Sequence, residues 1–173
     1  MRKTDQELCG IGGWLILLAV AVVGMPGNLL RHSEWAGKVY AAPAMQRFLL
    51  QGSPDFDPRW QAVSFIDTVG FGVAVIPAAI LAVFFFLKLN SFPAFFTIFA
   101  CVLSSLIAVR LYYVLIIPSV SPSFRTATIY SSAMSLLVLM AWIAYIFRSR
   151  RVRLTFTRHV FFSPFFPFFQ RIV

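Results

Sequence analysis

Four long stretches of this chain carry no Asp, Glu, Lys or Arg: Leu8 to Leu30, Thr68 to Leu87, Leu89 to Val109 and Thr126 to Phe147. Their lengths are 23, 20, 21 and 22 residues. Charge bounds each of them, with Glu7 and Arg31 around the first, Asp67 and Lys88 around the second, and Arg125 and Arg148 around the last. A helix needs about 20 mostly apolar residues to cross the hydrocarbon of a bilayer. The pattern predicts an all-α protein, a bundle of four transmembrane helices over about 10–30, 64–87, 91–117 and 126–147. The third continues past Arg110 towards Pro118. One membrane domain over 1–158 would then be followed by a Phe/Pro-rich tail, 159–173. Residues 31–63 read as an outer loop. In it Trp35, Val39, Tyr40, Met45, Phe48 and Leu49 recur at roughly helical spacing, with Lys38 and Arg47 between them. This predicts a short amphipathic helix on the membrane surface or capping the bundle, interrupted at Pro43.

Composition excludes the other classes. The apolar types make up 60% of the 173 residues and the charged types 12%. A soluble core of this size cannot hide so much apolar surface behind so few charges. Disordered chains have the opposite composition. Fifteen Lys+Arg against six Asp+Glu leave a net charge of +9. In a soluble protein that would point to nucleic acid. Beside membrane helices it points to the cytoplasmic side instead, so no nucleic-acid partner is expected. With both termini inside, Arg2, Lys3, Lys88, Arg148, Arg150, Arg151, Arg153, Arg158 and Arg171 are cytoplasmic. Arg31, Lys38, Arg47, Arg59 and Arg125 are outside. The first run does not read as a cleaved signal, because Asp5 and Glu7 spoil its basic flank and no small-x-small site follows. Cys9 and Cys101 form neither a disulfide framework nor a zinc site.

Two motifs frame the four runs. Gly10-Ile11-Gly12-Gly13-Trp14-Leu15 opens the first, and Ser149-Arg150-Arg151-Val152-Arg153-Leu154-Thr155-Phe156 follows the last. Together they resemble the GxGGWL entry and SxRVxxTF exit of the small four-helix bacterial inner-membrane proteins grouped as domain of unknown function 2569. The resemblance covers about Gly10 to Phe156. It implies a fold and a compartment, the bacterial inner membrane, and no activity, substrate or catalytic residue. The tail beyond Arg158 departs from the family pattern. Physically, Gly10, Gly12 and Gly13 permit close packing or a nest of backbone amides, and Trp14 suits the headgroup region. The arginines of the exit motif suit anionic lipid or a cytoplasmic partner. The Thr155-Phe156 pair fits a segment folded back onto the bundle.

Candidate chemistry is sparse. His32 and His159 both lie outside the runs, and there is no HExxH, GxSxG or P-loop. Ser104, Ser105, Ser131, Ser132 and Ser135 have no evident base. Neither an enzyme nor a cofactor is expected. Arg110 stands out, because a charge within a span is costly and calls for a partner. It lies about 12 Å below the outer end of its helix, from Pro118 at ~1.5 Å per residue. Asp67 lies at a similar depth and is the natural partner. Ala100, Ser104 and Ala108, and Ser131 and Ser135, repeat at small-x-x-x-small spacing that favours helix packing. Arg110 is about 120° away from the first ladder. Pro26 and Pro77 are expected to be tolerated kinks. The sequence therefore points to a non-enzymatic membrane protein that acts by association with another membrane component, as a homo-oligomer or with a protein partner. The alternative is a small oligomeric transporter or channel with Arg110 in a polar vestibule.

Overall fold

The computed structural model describes residues 13–156, and within them the protein is helical with no strand. Gly10, Gly12 and the tail 159–173 lie outside the described residues. The elements in chain order are α1 (Trp14–Ala41), α2 (Pro43–Leu49), α3 (Pro58–Phe65), a π turn (Ile66–Gly70), α4 (Phe71–Phe86), α5 (Phe92–Ile116), α6 (Pro122–Arg148) and α7 (Arg150–Thr155). The segment from α3 through the π turn to α4 is one continuous helix, Pro58–Phe86. This helix, α1, α5 and α6 are the four among the described residues long and apolar enough to cross a membrane. The protein is an all-α, four-helix membrane bundle.

Proline sets most helix starts. Pro43, Pro58, Pro93 and Pro122 each occupy the first turn, where the missing N–H has no intrahelical role. The Asp57 and Ser121 side chains cap α3 and α6 by accepting the Arg59 and Phe124 amides. At the other end of the bundle α4 closes with Lys88 at φ 54°, and the Leu89 amide reaches back to the Phe84 carbonyl. That is a left-handed helix stop normally given to glycine. The α5 C-terminus is capped by two cations: Arg59 Nη1 donates to the Ile116 carbonyl at 2.8 Å and Arg125 Nη2 to that of Ile117 at 3.1 Å.

α1 does not stop where its apolar run does. It continues through Arg31, Glu34 and Lys38 to Ala41. A helix that leaves hydrocarbon has no reason to end there, since its backbone remains internally bonded. The segment read as one amphipathic helix is therefore divided at Ala42, with Trp35, Val39 and Tyr40 on α1 and Met45, Phe48 and Leu49 on α2. The α2 residues pack half-buried on a small core of Ala36, Tyr40, Trp60, Val63, Val114 and Ile117. Trp60 ties that core to the α5–α6 loop through Nε1 and Ser119 Oγ, 3.0 Å apart.

The main core lies between α1, α4 and α5, around Leu18, Val22, Ala78, Leu81, Phe85 and Phe96. α6 adds Leu139 and Ile146 from one side. Outward the helices show Val73, Ile76, Val102, Met134 and Leu137, a surface suited to lipid and not to water. Within the chain neither small-residue ladder lies wholly in an interface. Of the α5 ladder, Ala100 is buried, Ser104 is half-buried and Ala108 is exposed. Residues four apart drift about 40° per step on a helix, so the row rotates out of the interface. On α6 the inward face runs through Thr128, Ser132, Leu139 and Ile146. Ser131 and Ser135 are exposed, their hydroxyls donating to the Thr128 and Ser131 carbonyls.

Candidate functional site

Asp67 is the organising group. It sits in the π turn with 1% of its surface exposed. In this turn the Phe71 amide reaches back five residues to the Ile66 carbonyl. The extra residue widens the helix locally, and such insertions recur at functional sites. Thr68 Oγ1 donates to the Ser64 carbonyl, and the Thr68 carbonyl accepts from Ser33 Oγ of α1 at 2.6 Å.

Three other side chains converge on the carboxylate. Arg110 of α5 donates Nε to Oδ1 at 2.6 Å. Tyr40 of α1 donates its hydroxyl to Oδ2 at 2.8 Å. His32, two helical turns before Tyr40, places Nε2 3.4 Å from Oδ1. The His32 ring also sits edge-on to Phe71, with centroids 4.8 Å apart. The Arg110 side chain is 13% exposed and that of Asp67 2%, while His32 at 35% forms the outward edge. Asp67 and Arg110 thus meet in one ion pair joining the second and third long helices. Tyr40 and His32 tie the first long helix to the same carboxylate. A carboxylate so enclosed, with a cation and a phenol already bonded to it, is built to hold helices together. It is poorly placed to meet a substrate.

The exit motif forms a second site at the opposite end. Ser149 caps α7, its Oγ accepting the Val152 amide at 3.4 Å. Val152, Thr155 and Phe156 are buried. The Phe156 ring stacks on Phe92 with centroids 4.6 Å apart and lies 5.5 Å from Phe85. Thr155 and Phe156 thus fold back onto the α4–α5 turn. The side chains of Arg150, Arg151 and Arg153 lie outside the described ones. At the entry, Gly13 has φ 56°, a conformation that suits glycine, and Trp14 is 67% exposed. Among the described residues no group of His, Cys, Asp or Glu could hold a metal ion.

A family model described as "Protein of unknown function (DUF2569)" matches residues 8–157. The chain belongs to this family. No curated protein and no solved structure matches it. The family match takes in both sites, the Asp67 cluster and the exit motif, and ends just after Phe156.

Reading His32, Ser33 and Tyr40 as part of a loop hid their share in the site. The signal was a stripe, Leu29, Ser33, Ala36 and Tyr40, at helical spacing across the charged residues. A test of that α1 contact follows from Gly72, where an added Cβ would lie 3.1 Å from Ser33 Oγ. Gly72→Ala is expected to push Ser33 off the Thr68 carbonyl, a loss of about 1 kcal/mol set against the similar helix-propensity gain of alanine over glycine. In a Ser33→Ala background the same change should be markedly more favourable, as thermal unfolding of the two series in detergent would measure.

Proposed function

We propose that this protein is a non-enzymatic component of the bacterial inner membrane, with both termini cytoplasmic, that works by association with another membrane component. The observation that carries the reading is the engagement of Arg110. A transporter or channel built on that residue needs it in a polar vestibule, whereas its guanidinium is bonded to Asp67 and nearly buried. Two grooves on the described surface have apolar walls. With Asp67, Arg110 and Tyr40 bonded to one another, the protein has contact surfaces to offer: the exposed face of α6 and the basic exit segment held in place by Val152 and Phe156. The Lys/Arg distribution supports the orientation.

The test is affinity purification from membranes in mild detergent, with wild type and Arg151→Ala/Arg153→Ala in parallel. A membrane protein that copurifies with wild type and is lost from the variant is the expected result. Recovery of the chain alone in both samples would remove the reading.

A further inference from the structure

The structure holds a second feature that the association reading does not use. At the end of the bundle where α1 begins and α6 ends, an apolar groove of about 330 Å³ lies between the two helices, lined by Trp14, Ala141, Trp142 and Tyr145. Its walls are aromatic on both sides. The Tyr145 hydroxyl is buried with no hydrogen-bond partner among the described residues. Arg148 is exposed and sits three residues beyond Tyr145, on the same side of α6. The described charges at this end have one sign. The described carboxylates, Glu34, Asp55, Asp57 and Asp67, all precede the second long apolar run, and no Asp or Glu occurs from Thr68 to Val173. Lys88, Arg148 and the three arginines of α7 are at this end of the described chain, with no described carboxylate beside them.

We infer that the Trp14–Trp142–Tyr145 groove binds an anionic phospholipid, one acyl chain lying along the aromatic walls and the phosphate held by Arg148. Charge complementarity selects the headgroup, since an end whose described charges are all cationic attracts anions, and basic sites between membrane helices take anionic lipids. The apolar groove on helices long enough to span selects a lipid over a soluble phosphate. This site goes beyond the partner reading and stands apart from it, because it uses Arg148 and the groove and not Arg151 or Arg153.

The experiment is native mass spectrometry of the full chain in mild detergent, titrated with phosphatidylglycerol or with phosphatidylcholine of the same acyl chains. The first phosphatidylglycerol is expected to bind more tightly than the first phosphatidylcholine. Arg148→Gln should weaken it about fivefold, the effect of one cation near the surface, and leave phosphatidylcholine unchanged. Trp142→Ala should weaken both lipids. Lys88→Gln removes a cation at the same end without touching the groove, and should leave first-lipid affinity intact. Equal binding of the two lipids, a loss with Lys88→Gln as large as with Arg148→Gln, or a dimer that excludes lipid and separates on Trp142→Ala would each overturn the assignment. No partner protein is present, so the result is independent of the affinity purification.

Discussion

Asp67→Ala is expected to destabilise the bundle by about 3–5 kcal/mol, the cost of leaving a buried charge without its partner. The change removes the acceptor that Arg110 and Tyr40 both use and that His32 approaches. Arg110 is left nearly buried, and a guanidinium cannot shed its proton to escape the penalty. Arg110→Met should be milder, since Asp67 keeps the Tyr40 hydroxyl and a carboxyl can neutralise by taking up a proton. The informative variant is the double one. Asp67→Leu/Arg110→Met deletes both charges and fills the space with apolar atoms, which often comes near to neutral. It should cost about 1–2 kcal/mol, mainly for the Tyr40 hydroxyl left unpaired. Thermal unfolding in detergent of wild type, Asp67→Leu, Arg110→Met and the double variant would measure this. Strong non-additivity is expected, and additive losses would mean the pair carries no coupling.

The same four residues mark how far the sequence could be read. Two opposite charges at matched depth on neighbouring apolar runs single out Asp67 and Arg110 without a structure, because a charge within a span has few ways to be satisfied. The four long helices follow from charge-free length alone. The α1 half of the cluster is different. Arg31, Glu34 and Lys38 mark where α1 leaves the apolar run, and a charge boundary is a poor guide to where a helix ends. Backbone hydrogen bonding persists past the last apolar residue, so His32, Ser33 and Tyr40 stay in register with the core face below them. The π turn was equally hidden. Its sequence, Ile66-Asp67-Thr68-Val69-Gly70, is compatible with an ordinary helix, and the widening answers to tertiary demands. Chief among these are the buried carboxylate and the Ser33 hydroxyl on the Thr68 carbonyl. On α5 and α6 the small-residue spacings were visible, but the face each helix turns inward depends on crossing geometry, which spacing does not contain.

At the other end, the exit motif turns on a single aromatic. Phe156 is buried between Phe92 and Phe85, and it anchors a helix of only six residues. A helix that short has almost no stability of its own and depends on what it packs against. Phe156→Ala removes the stacked ring and leaves Val152 as the main remaining anchor, a loss of about 3 kcal/mol by analogy with buried Phe truncations. Because α7 is terminal to the bundle, the loss should appear as local undocking while α1, α4, α5 and α6 stay folded. Trypsin reads this directly, since Arg150, Arg151 and Arg153 lie within the segment. When opening is fast relative to cleavage, the rate follows the open population, so cutting there should rise about a hundredfold. Helicity and thermal midpoint should change far less than in Asp67→Ala. Phe156→Leu, which keeps most of the volume, should cut at a rate between the two. Unchanged cleavage in Phe156→Ala would mean that α7 is held by contacts other than this ring.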